Sequence, residues 1–273
     1  MVLLRPDTRR ALRTIVGVLV LGVMLFPVYW MVNASLQPSG NTLDAGVVPL
    51  DPSLDGYRTA AQQQGRNLIT SLIIATGTVV VSLVIAAPCA YALAQVRSRW
   101  AALALLALLI SQMIPGMVIA NALYAAYVQL GLLNTIPGLI IANTAYAIPF
   151  SILLIRSFML ALPAAIVEAA WVDGAGPIRT FVSIVLPISR NALITAGLFS
   201  FLFAWSDFLF ALTLTTKGDV RPVTLGIYQY LGAHVSDWST VMATASLSAI
   251  PAIILLLAAQ KYIAAGTTGG AVK

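Results

Sequence analysis

The chain has 273 residues, of which 60% are hydrophobic and only 9% are charged, and its mean hydropathy is +0.94. Soluble domains carry about 25% charged residues, so this composition excludes a soluble protein built around one buried core. The formal net charge is +6. The basic residues stand singly between apolar runs, which favours a role in membrane orientation over nucleic-acid binding.

The first apolar run, residues 15–36, follows four arginines and is longer than the apolar region of a signal peptide. It predicts a retained transmembrane helix. Residues 37–66 are polar and contain several Pro and Gly, which predicts a loop in water. Together these two stretches form an N-terminal part of the chain, 1–66.

Five further apolar runs approach or exceed the ~20 residues that cross the hydrocarbon of a bilayer. They cover residues 68–94, 101–127, 136–155, 192–214 and 241–259. We therefore predict an all-α, polytopic membrane protein with six transmembrane helices, a core over 67–265 and a tail over 266–273. The one cysteine, Cys89, lies inside an apolar run, and we expect it to be buried without a disulfide or zinc partner.

The placement of basic residues predicts the orientation. With the N-terminus in the cytoplasm, eleven of the fifteen Lys and Arg fall in inner segments and four fall in outer ones. The positive-inside rule then predicts that both termini are cytoplasmic. His234 falls in an outer loop without a second ligand nearby in the sequence, so we expect a surface residue and no metal site.

The inner loop over 156–190 is the longest on that side. Pro163 is a good first residue for a helix that continues to Trp171, and Gly174, Gly176 and Pro177 end it. We predict a short helix, a sharp turn and a second amphipathic stretch. Such an element suits either the membrane surface or a groove on a partner protein.

The spacing of residues in this loop is specific. Gly174 follows Glu168-Ala169-Ala170 after three residues, Ile184 follows after nine more, and Leu186-Pro187 after one more. The pattern resembles the EAA loop of membrane subunits of ATP-binding-cassette (ABC) importers. The resemblance implies the type I importer permease fold and a coupling helix that fits a groove of an ATPase subunit. It assigns this coupling role to Glu168, Ala169, Ala170, Asp173, Gly174, Ala175, Phe181, Leu186 and Pro187.

Other short motifs, at 112–115, 131–135, 147–150, 203–208 and 266–273, resemble the MalG-like carbohydrate permeases. The resemblance implies a permease in the bacterial inner membrane, paired with a second permease subunit as a heterodimer. It also implies two ATPase subunits that use ATP and Mg, and an extracytoplasmic binding protein that delivers a sugar. The chain has no GxxxxGK[ST] phosphate loop, so we expect it to be no enzyme and to bind no cofactor.

A few polar and aromatic residues in the spans are candidates for the substrate path. Asp207 is the only acidic residue in the predicted spans. We expect it to line the path or pair across helices, or else to be solvated at the outer end of its span. Sugar binding, interhelical hydrogen bonds and interface aromatics would each explain the remaining candidates, which are Asn121, Tyr124, Asn143, Tyr146 and Trp205.

Two other classes of function fit less well. A secondary transporter would need several intramembrane carboxylates and repeated halves, and an intramembrane enzyme would need a nucleophile or a metal site. Neither pattern is present in the sequence. Among importers, a permease for amino acids, peptides or polyol phosphates remains the alternative, because the coupling loop does not specify the substrate.

Overall fold

The computed structural model describes residues 6–38, 46–96, 98–218, 220–230 and 237–268. All regular secondary structure in these residues is helical, and they contain no strand. His234 and residues 269–273 of the predicted tail lie outside the described residues.

The helices follow one another with short connections. Their bounds are α1 Pro6–Ser35, α2 Asp55–Gln95, α3 Arg99–Ser111, α4 Gly116–Leu130, α5 Ile136–Leu160, α6 Ala164–Val172, α7 Pro177–Thr180, α8 Leu186–Ile188, α9 Arg190–Trp205, α10 Leu209–Leu214, α11 Val223–Tyr230 and α12 Trp238–Thr268. A π-helical turn, Phe181–Val185, joins α7 to α8.

Four helices of the described chain are long and apolar enough to cross a membrane: Leu12–Ser35 within α1, α2, α5, and Trp238–Tyr262 within α12. Two further pairs pass the same test together but are bent. The α3–α4 pair bends by 96°, and Pro177–Ile188 bends by 77° against α9. Counting each pair as one span gives six, in agreement with the number predicted from the sequence.

Two of the predicted spans are not continuous helices. The run over 101–127 breaks between Ser111 and Gly116, because Pro115 lacks an N–H group and disfavours helical angles at the residue before it. The run over 192–214 breaks after Trp205 and resumes at Leu209 as α10. Hydropathy indicates which residues contact lipid, but it does not indicate where the backbone turns.

The predicted loop over 37–66 is too long, because α2 already begins at Asp55. The Ser53 side chain accepts a hydrogen bond from the Asp55 N–H (3.0 Å), and Arg58 forms an ion pair with Asp55 at 3.2 Å. These contacts stabilise the first turn of a helix that is about 60 Å long. The expectation that Cys89 is buried is wrong, since its side chain is exposed on α2.

The chain divides into two compact units. The first contains the described residues of Met1–Gly65 and Ile227–Ala249, and the second those of Arg66–Gly226 and Ile250–Lys273. In the first unit, the start of α2 approaches α12 closely, because a Cβ on Gly56 would lie 3.0 Å from the Ser239 backbone.

The second unit contains the apolar core around α5 and α9. One cluster of buried residues includes Ala86, Ile155, Val185 and Ala196. Beside it, Ser200 of α9 hydrogen-bonds both Ser82 of α2 and Ser151 of α5 at 3.1 Å, and all three side chains are fully buried. Small residues and hydroxyl groups of this kind let helices pack closely where lipid provides no hydrophobic driving force.

Candidate functional site: the loop between α5 and α9

Helix α6 has one buried face and one exposed face. Val167 and Ala170 are buried, and Val167 belongs to the core cluster around Ile155. On the opposite face Glu168 and Ala169 are exposed, while Trp171 and Val172 are 54% and 87% exposed. The helix is therefore held by its apolar stripe and presents a carboxylate beside an apolar surface.

The C-terminus of α6 forms a Schellman motif. The N–H of Gly174 donates to the carbonyl of Trp171 (3.0 Å), and the N–H of Ala175 donates to that of Ala170 (2.9 Å). Gly174 has a φ of +78°, in the left-handed region that this motif requires. Glycine adopts this conformation readily, whereas residues with a Cβ do so at a cost. The predicted sharp turn at Gly174 is therefore confirmed, and Asp173 caps the helix directly before it.

Beyond this turn the chain enters α7 at Pro177. Thr180 is fully buried, and both its N–H (2.9 Å) and its hydroxyl (3.1 Å) donate to the carbonyl of Gly176. The π-helical turn that follows is explained by Pro187, which has no N–H to donate to a carbonyl four residues earlier. Pro187 is exposed and Leu186 is half-buried.

Two contacts fasten the loop to the end of α2. The ring of Phe181 stacks on Tyr91, with centroids 5.1 Å apart and planes inclined by 29°. Arg156, at the other end of the loop, donates from Nε to the carbonyl of Leu93 (3.0 Å), near the last turn of α2. A cation at the C-terminus of a helix is stabilised by the helix dipole. Phe181 is half-buried in the structure, and its ring links the loop to α2.

The structure brings together three of the candidate path residues. The Asp207 carboxylate accepts hydrogen bonds from the N–H groups of Phe210 (3.1 Å) and Ala211 (3.2 Å), in the first turn of α10. The buried Asn143 side chain also interacts with this carboxylate. Tyr146, one turn further along α5, is 40% exposed and contacts the ring of Phe210 edge-on, with centroids 6.3 Å apart.

The other three candidates lie elsewhere. Trp205 is 7% exposed and stacks on Phe201 with ring centroids 5.4 Å apart, so its faces are not open to a sugar in this structure. Asn121 and Tyr124 are exposed one turn apart on α4.

Sequence reasoning included Asn134 only as part of the 131–135 motif and gave it no role of its own, although the structure gives it a central position between α4 and α5. Its φ is +61°, and it is the one residue other than glycine with a positive φ in the described chain. Its Oδ1 accepts a hydrogen bond from the N–H of Lys217 (2.7 Å), and its own N–H donates to Leu214 (2.9 Å). Asn tolerates left-handed angles better than most residues. An Asn two residues before a helix was therefore the sequence signal for a left-handed turn at this position.

Residues 79–269 match the protein family described as "Binding-protein-dependent transport system inner membrane component". The chain belongs to this family. It is therefore an inner-membrane component of a binding-protein-dependent transport system, and the multi-pass membrane location predicted from the sequence is confirmed.

Curated relatives cover nearly the whole chain. The trehalose/maltose transport system permease protein MalG of Thermococcus litoralis is 31% identical over 99% of both chains. The diacetylchitobiose uptake system permease protein DasC of Streptomyces coelicolor is 30% identical over 92% of both. The trehalose transport system permease protein SugB of Mycobacterium tuberculosis is 32% identical and covers 95% of this chain and 96% of its own.

Solved structures support the fold. A chain of a bacterial ABC transporter that imports the polysaccharide alginate has a TM-score of 0.78 and 23% identity, covering 96% of this chain and 99% of its own. A chain of the MetNI methionine ABC transporter in inward-facing conformations has a TM-score of 0.62 and 18% identity, covering 76% and 98%. The type I importer permease fold implied by the sequence resemblance is thus confirmed.

Proposed function

We propose that the chain is the permease subunit of a carbohydrate importer. With a second, different permease subunit it forms the path for a sugar or oligosaccharide, which an extracytoplasmic binding protein delivers and two separate ATPase subunits drive. The observation that carries this proposal is α6, whose EAA spacing ends in a left-handed glycine and whose Glu168 and Trp171 are open to a partner. Three similar permeases are named for the uptake of trehalose, maltose or diacetylchitobiose, which supports a sugar as the substrate.

The structure of the loop suggests how motion reaches the membrane helices. Val167 anchors α6 to the core, and the contacts of Phe181 and Arg156 attach the loop to α2. When ATP closes the ATPase dimer, a displacement of α6 would carry these contacts with it and shift the permease between two conformations. ATP and Mg act in the ATPase subunits, and this chain contributes binding and movement without covalent chemistry or a cofactor.

The proposed orientation places both termini and α6 in the cytoplasm. Its support is the distribution of basic residues, eleven inside and four outside. This arrangement exposes α6 to a cytoplasmic ATPase and leaves the segment before α2 on the side of the binding protein.

Of the three candidates that the structure brings together, Tyr146 is the best placed to contact a sugar, because its side chain is 40% exposed. Asn143 and Asp207 are less accessible. Asn143 donates to the carbonyl of Leu139 within α5 (3.0 Å). Asp207 accepts from the N–H of Phe210 in the first turn of α10 (3.1 Å), and its carboxylate interacts with the side chain of Asn143. We therefore assign these two residues a positioning role, with Tyr146 presenting its ring and hydroxyl to the substrate.

ATPase stimulation tests the substrate class. The complex of this chain with its partner permease, ATPases and binding protein would be reconstituted in nanodiscs and supplied with trehalose, maltose, diacetylchitobiose, an amino acid or glycerol phosphate. The proposal predicts stimulation by a sugar only, and a Tyr146→Ala variant that requires more sugar for the same stimulation. Stimulation by the amino acid or the polyol phosphate, with none by a sugar, would overturn the carbohydrate assignment.

A further inference from the structure

A long apolar groove lies on the surface of the second unit, between α2, α9 and α12. Its volume is about 460 Å³, and among its described lining residues only Thr76 and Tyr262 have polar side-chain atoms. Gly197 of α9 forms part of its floor. A Cβ there would lie 3.3 Å from Leu83 and 3.4 Å from Val79, so α2 and α9 approach each other closely at this glycine.

A second apolar depression, of about 360 Å³, adjoins the first. The two share Leu83 and Leu193, and the second extends to Pro88 and to Phe181 and Leu186 of the coupling loop. Thr76 and Pro88 mark the two ends along α2, twelve residues apart, which corresponds to about 18 Å of helix. This length is close to half of the ~30 Å hydrocarbon core, which is the depth of one leaflet. We call the two depressions together the leaflet groove.

Two basic residues adjoin lining residues of the leaflet groove in the sequence. The ammonium group of Lys261 sits 5.0 Å from the ring centroid of Tyr262, a lining residue. Arg190 is exposed at the start of α9, between the lining residues Leu186 and Leu193. The one ion pair in the described part of the chain joins Arg58 to Asp55. Within those residues, Lys261 and Arg190 therefore form no ion pair with an acidic side chain.

We propose that the leaflet groove binds an acyl chain of an anionic phospholipid, whose phosphate group contacts Lys261 and Arg190. An anionic head group complements the two cations, and basic pockets between membrane helices bind such head groups in general. A transmembrane helix of a partner fits less well. It is about 10–12 Å across, and its cytoplasmic end would tend to bring further Lys or Arg towards the same two cations.

The proposed lipid would touch the coupling loop, because Phe181 and Leu186 line the inner part of the leaflet groove. Phe181 also stacks on Tyr91 and so joins the loop to α2. An acyl chain at this position would support the packing through which the loop acts on α2. This consequence rests on the proposed importer function, whereas the binding of the lipid does not.

Photocrosslinking of lipid to the assembled complex tests the site directly. The complex would be placed in nanodiscs of phosphatidylcholine and phosphatidylglycerol in equal amounts, with a photoactivatable group on an acyl chain of one lipid or the other. Peptide mapping should find phosphatidylglycerol attached to residues of α9 and α12 that line the leaflet groove. Equal attachment of phosphatidylcholine, or attachment to other surfaces only, would overturn the proposal.

Matched variants separate the acyl chain from the head group. Ala258→Phe would fill the groove from an exposed lining position and should abolish the crosslink. Leu256→Phe, on the exposed side of α12 outside the lining residues, should leave it unchanged. Lys261→Gln should weaken the preference for phosphatidylglycerol by about fivefold, the effect of one basic residue near a membrane surface, whereas Lys217→Gln should not.

Co-purification of the partner subunits confirms that each variant assembles. Undiminished crosslinking in Ala258→Phe would refute the assignment. A disulfide formed under an added oxidant between an Ile194→Cys variant and a cysteine introduced into a helix of the partner permease would refute it as well. Because the crosslink requires neither ATP nor sugar, its failure is distinguishable from failure of the transport assignment. If both assignments hold, Ala258→Phe should also lower sugar-stimulated ATPase activity while Leu256→Phe leaves it unchanged.

Discussion

Replacing Gly174 by alanine perturbs the end of the proposed coupling helix through the backbone alone. A Cβ built on Gly174 meets no atom within 4 Å, so the substitution introduces no clash inside the chain. The φ of +78° is nevertheless unfavourable for an L-residue with a Cβ, at a cost of about 1–2 kcal/mol. The turn can avoid this strain only by giving up the hydrogen bonds of Gly174 and Ala175, which contribute about 0.5–1.5 kcal/mol each.

The chain offers a matched control two residues away. Gly176 also has open space around its Cβ position, but its φ of −69° and ψ of 167° are accessible to any residue. Gly176→Ala should therefore be close to neutral, and Gly174→Ala should reduce the population of the docking-competent loop about five- to thirtyfold. Gly174→Asn should be milder, because Asn tolerates left-handed angles, and Gly174→Val should be more severe.

The assay is retention of the ATPase subunits during purification, followed by sugar uptake into vesicles. Membrane insertion should be the same for all four variants, because it depends on the apolar spans. ATPase retention or uptake should fall in the order Gly176→Ala, Gly174→Asn, Gly174→Ala, Gly174→Val. If Gly174→Ala and Gly174→Val match Gly176→Ala in both measurements, the left-handed turn has no part in coupling and the reasoning fails.

Three further predictions follow from single contacts. Glu168→Ala should weaken ATPase retention by about 1 kcal/mol or less, since an exposed charge contact is seldom worth more, and complete loss of the ATPase would contradict this. Asn134→Ala should lower the melting temperature of the complex more than Asn134→Gly, because both lose the bond to the Lys217 N–H (2.7 Å) but only Ala is strained at a φ of +61°; the reverse order would contradict it. Burial acts to raise the pKa of Asp237, but hydrogen bonds from Thr240 and Ser239 outweigh it and hold that pKa below its ordinary value. The stabilising effect of Asp237 relative to Asp237→Asn should therefore be complete above about pH 4 and decline as the pH falls through the lowered pKa, and a difference that stays constant or grows on acidification would refute the assignment.

The elements that the sequence predicts best are those defined by backbone chemistry. Pro163 and Gly174 fix the ends of α6 because proline suits the start of a helix and glycine suits a left-handed end, and the structure has both. Pro115 is also a backbone signal, but the apolar run continues on both sides of it. Hydropathy therefore did not predict the 96° bend between α3 and α4.

Burial of side chains in the spans was the least predictable feature. In a soluble protein the apolar face of a helix is the buried one and its polar face contacts water. In lipid both faces are apolar, so polarity does not show which face is buried. For this reason Cys89 was expected inside and is exposed, and the burial of the path candidate Trp205 against Phe201 had no signal in the sequence. Contacts that depend on the folded chain, such as Phe181 on Tyr91, have no local signal at all.

The central claim is that the exposed face of α6 contacts an ATPase subunit in the cytoplasm. A photoactivatable amino acid at Ala165 or Ala169, exposed residues one turn apart on α6, tests it in the complete transporter in cell membranes. The same amino acid at Val48, which is 62% exposed before α2, serves as the control on the opposite side of the proposed topology. The account predicts crosslinks to the ATPase from Ala165 or Ala169 and none from Val48. Crosslinks to the ATPase from Val48, or their absence from both positions on α6, would contradict it.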